Sequence, residues 1–396
     1  MNNRKIHGFE IIKILYSTSM MLFIVMSYYS TIIKNKDIQT KLGRIITALT
    51  LIITVIIYFF NWKKSILINR KSAIFPIFIL WTVFLLLDLI KGTGLRFNTV
   101  FVFFVFGLLT MRISRDELDN LVLISICFCV VICIVSLYLG IKGLGLDNIY
   151  VDMEWYHEIR LRGILDSPNG LGAYATMGIL YFLFYKEYKW RWMPILICVI
   201  TLYETKSKTC IASLIIILVI AISDYFFHWI RKMNFSKILS GIIFISLVVL
   251  IVIANNKMFT GRMRNWLFLI SDLASNLKNI PFGVFSYPDN YHYAENMYIE
   301  ALYSYGVVGF VLLLRVIGAI GNRCWKLYSK NNTYFYFFIF FVLRFVTESY
   351  LIGQSASIYS IVIIYLLLWK RSDIDIFEFS NEQYPIAMSG ASTKPF

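Results

Sequence analysis

Metal-ligand spacing and disulfide spacing are both missing from this sequence. It has six cysteines and four histidines in 396 residues. Cys127, Cys129 and Cys133 share one apolar run, Cys198 and Cys210 lie near two others, and Cys324 sits in a basic connection. None stands at ligand spacing from a histidine, so neither a metal centre nor a disulfide framework is expected. Charge is scarce as well: charged residues make up 15% of the chain against 59% hydrophobic, and the mean hydropathy is +0.69. A water-soluble chain of this length cannot hide so much apolar surface in one core. Internal repeats and low-complexity tracts are lacking too. Nothing reads as a cleavable signal peptide, because the first apolar run is long enough to remain as a span.

What is present is a recurrent apolar run, about 15–23 residues long, separated by short basic segments. The runs are continuous rather than alternating, which favours helices over a barrel. The expected fold is all-α: a polytopic membrane protein of about 12 transmembrane helices. The runs fall at about 14–33, 44–61, 73–90, 97–111, 120–141, 170–185, 192–205, 208–227, 237–254, 297–320, 334–350 and 355–369. They form one transmembrane domain over 1–371, followed by a polar tail at 372–396. The net charge is +15. The Lys and Arg residues sit between spans, where they set topology and meet anionic headgroups, so nucleic acid is not the expected partner. Their bias puts both termini in the cytoplasm, although Lys34, Lys36, Lys41 and Arg44 run against it. Two longer connections, at about 142–169 and 255–296, then lie outside a plasma (inner) membrane.

The polar residues gather in those outer connections. Arg160-Leu161-Arg162-Gly163 precedes Ser167-Pro168-Asn169-Gly170 at the sixth span, where Pro-Asn-Gly is also an ordinary helix-entry signal. Glu204 to Thr209 joins the seventh and eighth spans, and Lys208 there reads either as an interfacial side chain or as a phosphate contact. The stretch from Lys257 reads as a polar loop of about forty residues. It carries Gly261-Arg262-Met263-Arg264-Asn265-Trp266, then Ile280-Pro281-Phe282-Gly283, then Tyr287, Tyr291, His292 and Tyr293. Arg262 and Arg264 suit bidentate phosphate binding. Glu295-Asn296 closes the loop and Gly306-Val307-Val308-Gly309 follows inside the tenth span. Arg344 and Glu348, four apart, are expected to form a structural ion pair. Glu295 has no basic partner at helical spacing, and a carboxylate on the water side can act as a base.

Taken in order, these motifs resemble the O-antigen polymerase and O-antigen ligase superfamily of lipid-linked glycan transferases. They are Arg-x-x-Gly before Pro-Asn, Ser207-Lys208-Thr209, Gly-Arg-x-x-x-Trp with Pro-x-Gly, and Glu295-Asn296 through Gly309. The likeness covers about 160–310. The ligase branch carries His where this chain has Glu295, and many relatives carry Ser-Arg where it has Ser207-Lys208, so the polymerase branch fits better; His292 remains an alternative to the family histidine.

The resemblance implies a metal-independent glycosyltransferase that needs no cofactor. It would polymerise undecaprenyl-diphosphate-linked oligosaccharide units into capsule, exopolysaccharide or O-antigen. Donor and acceptor would both be lipid-linked, with a flippase and a chain-length regulator of the same pathway as further partners. Arg162, Arg262, Lys208 and Arg264 would neutralise the diphosphate and Glu295 would activate the acceptor hydroxyl. Asn296, His292, Asn169, Tyr291 and Trp266 would contact substrate, and Tyr287 and Tyr293 would stack on sugar rings. Two other readings stay open: a ligase that moves a finished glycan to a terminal acceptor, and a transporter or flippase of lipid-linked sugar.

Overall fold

A computed structural model describes residues 115–142, 150–153, 158–165, 167–185, 189–232, 260–285, 294–328 and 332–348, together with Ile52, Gly241 and helical positions between 82 and 91. The expected spans at about 14–33, 44–61, 97–111, 237–254 and 355–369 and the tail at 372–396 lie outside the described residues, Ile52 and Gly241 apart.

Among the described residues seven main helices follow in chain order: α1 Arg115–Lys142, α2 Pro168–Phe184, α3 Trp192–Thr205, α4 Lys208–Phe227, α5 Thr260–Ser275, α6 Met297–Leu327 and α7 Thr333–Phe345. Local chemistry sets several of their ends. Ser167 caps α2, its Oγ accepting the Gly170 N–H at 3.1 Å, and Pro168 occupies a position where no N–H is needed. Lys206 adopts a left-handed conformation that stops α3, and α4 begins two residues later.

Helices α2 and α7 form the centre. Leu171 through Phe182 are all buried, as is every residue of α7. A helix apolar on every side must be covered on every side. The cover comes from α1, α3, α4 and α7 packed around α2, and from α4 and α6 packed against α7. Aromatic contacts join the two centres, with Phe184 stacked on Tyr336 at 4.1 Å and Tyr181 on Phe337 at 6.4 Å.

The surrounding helices expose apolar stripes. On α1 the stripe is Val131, Ile134, Val135, Tyr138 and Ile141, the last 84% exposed. On α3 it is Met193, Leu196, Val199, Ile200 and Tyr203; on α4 it is Ile215, Val219, Ile222, Tyr225 and Phe226. The three- and four-residue spacing marks one face of each helix, and that face is as apolar as the face turned inward, unlike a water-facing helix. Among the described residues, two helices, α4 and residues 297–322 of α6, are long and apolar enough to cross a membrane; the 20 residues of α4 span about 30 Å.

Two expected loops hold regular structure. Within the connection at 142–169, β1 Tyr150–Met153 pairs antiparallel with β2 Glu158–Leu161, Val151 facing Arg160. Within the stretch expected to be a polar loop, α5 is an amphipathic helix. Trp266, Leu269 and Leu273 are buried on one side, while Arg264, Leu267 and Ile270 are exposed. Arg264, one of the charged residues that suggested a loop, is on the exposed side of a 3.6-residue pattern.

Candidate functional site

Two groups of polar side chains, on different elements, lie near the residues expected at the site. The first surrounds the turn between α3 and α4. Arg160, delivered by β2 and only 7% exposed, donates from Nε to the Thr205 carbonyl at 2.9 Å and from Nη2 to Asn169 Oδ1 at 3.0 Å. Ser207 Oγ donates to the same Asn169 oxygen, also at 3.0 Å. Asn169 lies in the first turn of α2, so one amide oxygen ties the hairpin, the central helix and the turn together. Close approach makes this possible: a Cβ on Gly172 would stand 2.7 Å from Ser207 Cβ, a separation that only glycine permits.

From the other side, α7 brings Arg344, which is 1% exposed. Its Nη1 donates to Thr209 Oγ1, and its Nη2 pairs with Glu348 at 3.2 Å, as the four-residue spacing predicts. Two buried guanidiniums thus hold the five-residue turn at its two ends, Arg160 at Thr205 and Arg344 at Thr209. A buried cation in an apolar bundle is costly unless its N–H groups are served and its charge is matched.

The second group stands at the entrance to α6. Asn296 caps the helix, its Oδ1 accepting the N–H groups of Tyr298 and Ile299 at 3.0 and 3.1 Å. Glu300 is 2% exposed; its Oε2 accepts the Ala294 N–H at 3.0 Å and its Oε1 the Ser304 hydroxyl at 2.9 Å. The Trp266 indole donates to the Ala294 carbonyl, and Tyr303 donates to Asp272 Oδ2 at 2.6 Å, so α5 is bolted to α6. Glu295, beside the cap, is exposed and has φ +49°. Lys206 and His228 share that left-handed conformation, but they terminate α3 and α4, where it is usual. Glu295 precedes a helix. A non-glycine residue held there costs about 1–3 kcal/mol, and such residues cluster at functional sites.

Further along, α6 is broken. Gly306 has φ 67° and ψ −165°, outside the helical region. Val307 and Val308 donate to the carbonyls of Ile280 and Pro281, at 2.9 and 3.2 Å, instead of closing the next helical turn. A Cβ on Gly306 would lie 2.4 Å from Pro281 backbone atoms, so the loop rests directly on the break.

The residues expected at the site are distributed unevenly. Asn169 is inside the first group. Arg162 is half-buried in the turn after β2, and Lys208 is exposed at the start of α4. Arg262 and Arg264, expected in a loop, belong instead to α5, where positions two apart lie on different sides of the helix. Asn296 and Trp266, expected to contact substrate, have the capping and bolting roles just described. Tyr291, His292, Tyr287 and Tyr293 lie outside the described residues. Arg160, Ser207 and Thr209, which belong to the motifs but were given no role there, enter as site residues, as do Arg344 from outside them and Glu300 from within the stretch 295–309. Sequence offers no signal that separates Arg160 from Arg162; Arg160 lies within β2, whereas Arg162 falls beyond the strand end.

Comparison with protein-family models, with curated proteins and with solved structures gives no match for this chain.

Proposed function

We propose that this chain is a membrane glycosyltransferase that joins undecaprenyl-diphosphate-linked oligosaccharide units into a polysaccharide at the outer face of the plasma membrane. On this reading about twelve helices cross the bilayer, both termini are cytoplasmic, and the apolar stripes of α1, α3 and α4 face lipid. The observation that carries the reading is the convergence of Arg160 and Arg344 on the turn at 205–209. Buried arginines at one end of an apolar bundle suit an anion delivered from the membrane, and a lipid diphosphate is such an anion.

In the reaction, a hydroxyl oxygen of the acceptor unit bonds to the donor's anomeric carbon. The bond from that carbon to the diphosphate oxygen breaks, and undecaprenyl diphosphate leaves with the bonding pair. Arg160, with Arg162 two residues on and Lys208 beside Ser207, stabilises the charge that develops on the leaving group, while Arg344, paired with Glu348, holds the turn at Thr209. Removing one such donor typically costs about 10²–10³ in rate. Glu295 takes the acceptor proton, a contribution typically worth about 10²–10⁴. Its exposed, left-handed position at the mouth of α6 supports that role.

The break in α6 favours a second reading, transport, because discontinuous helices often hold ions or substrates in transporters. The carbonyls at this break are occupied by the chain's own groups, which weakens that reading.

The test is glycan chain length in a strain lacking its own polymerase. Expression of this chain is expected to give a ladder of lipid-linked polymer, and Arg160→Ala to give single units in its place. A single transfer to a terminal acceptor would identify a ligase. Polymer equal to wild type from Arg160→Ala removes the arginine site.

A further inference from the structure

The break at Gly306 is filled by a charge from a distant part of the chain. Tyr303 and Ser304 would ordinarily accept from Val307 and Val308, whose N–H groups point elsewhere. The Tyr303 carbonyl accepts the Val284 N–H at 3.0 Å. The Ser304 carbonyl accepts the Lys91 ammonium at 2.6 Å, and the Phe282 carbonyl accepts it at 2.8 Å. Two rings complete the surroundings, Phe285 with its centroid 5.3 Å from Nζ and Tyr305 at 5.9 Å. Phe84, seven residues before Lys91 on the same helical face, stacks on Tyr305 at 3.8 Å and fixes that ring. Carbonyl oxygens and aromatic faces around one nitrogen are the features that recognise a primary ammonium group.

We propose that the break in α6 is a primary-ammonium site whose resident ligand is the side chain of Lys91. The broken backbone is stable because this tethered cation occupies it. Within an apolar bundle, a carbonyl stripped of its helical donor needs a replacement. Lys91 supplies one and also meets the two rings through its charge. The same ammonium is linked to the entrance of α6: Ser304 gives its carbonyl to Lys91 and its hydroxyl to Glu300, whose carboxylate holds Ala294, whose carbonyl holds Trp266. This ammonium site stands apart from the glycosyltransferase reading and involves no sugar.

Lys91→Ala removes the four atoms from Cγ to Nζ, and n-propylammonium replaces them. The test is thermal unfolding of the purified full chain in detergent. The buried thiols of Cys129, Cys133, Cys198, Cys210 and Cys324 serve as reporters when a thiol-reactive dye is present. Lys91→Ala is expected to lower the unfolding midpoint by about 5–10 °C. Adding n-propylammonium restores most of the loss, whereas 1-propanol (same length, no charge) and tetramethylammonium (charge, no N–H) restore little. An unchanged midpoint in Lys91→Ala overturns the proposal. So does equal rescue by 1-propanol, which indicates a filled void, or by tetramethylammonium, which indicates charge without donors. Should Lys91→Ala yield no folded protein with or without the amine, Lys91→Arg and Lys91→Gln decide: the proposal requires Arg to stand well above Gln, and equal midpoints reject it.

Discussion

The two ends of the α4–α7 pair bury charges of opposite sign and serve them differently. At one end Asp224 is buried among donors. Its Oδ1 accepts the Ile230 N–H at 2.7 Å, and its Oδ2 accepts the Tyr328 hydroxyl, which in turn lies 3.1 Å from the Tyr336 hydroxyl. Burial first, and then the Asp224 carboxylate, push the Tyr328 phenol well above its ordinary pKa, so it stays a donor. Both oxygens of this acid are supplied by the chain itself. At the other end Arg160 donates to two neutral oxygens, the Thr205 carbonyl and the Asn169 amide, which orient the guanidinium. An acid served in this way holds a fold together. On the proposed reading, the guanidinium oriented by those neutral oxygens is the group that meets the substrate's anion.

That contrast can be broken by mutation. The largest effect is expected at Arg160. Arg160→Lys keeps the charge but cannot reach Thr205 and Asn169 together, so polymer formation should fall by about 10²-fold, close to the Arg160→Ala value. Near-normal chain length with Lys would mean that a point charge suffices and that the oriented fork is not used.

Glu295→Gln sharpens the comparison from the side of the acceptor. It keeps size and hydrogen bonding, so the unfolding midpoint should hold while polymerisation falls by about 10²-fold or more. Normal chains from Glu295→Gln would direct attention to His292.

Arg344→Leu should lower stability by about 3 kcal/mol, because Glu348 and Thr209 lose their partner in a buried setting. Denaturation in detergent measures this. A loss below about 0.5 kcal/mol, within the range of exposed pairs, would show that the ion pair is effectively solvated.

The smallest effect belongs to the opposite end. Asp224→Asn should cost about 1–2 kcal/mol, because the amide still accepts from Ile230 but presents N–H groups where Tyr328 donates. Chain length should be unaffected. If polymerisation fails in Asp224→Asn while the protein remains folded, the two ends are coupled and their division into structural and functional roles collapses.

Much of the architecture was legible in local pattern. Ser167-Pro168-Asn169 announced the start of α2, and unbroken apolar runs located α1, α3, α4, α6 and α7 to within a few residues at most ends. The spacing of Arg344 and Glu348 announced their ion pair. α5 was missed because Arg262 and Arg264 drew attention to charge, while the period that places Trp266, Leu269 and Leu273 on one face went unread. Arg160 and Arg162 looked alike in sequence; only the end of β2 distinguishes them.

Apolarity, helical period and turn chemistry are carried by neighbours in the chain, so the sequence alone determined a chain of apolar helices with polar connections. Contacts between charges are set by the packing of distant segments. Arg160 reaches Thr205 across 45 residues, Arg344 reaches Thr209 across 135, and Lys91 reaches Ser304 across 213. Nothing near Lys91 in sequence marks it as the donor for a broken helix. That role exists only because Gly306 turns two N–H groups away, and a backbone carbonyl left without a donor in an apolar bundle takes the nearest cation that packing brings to it.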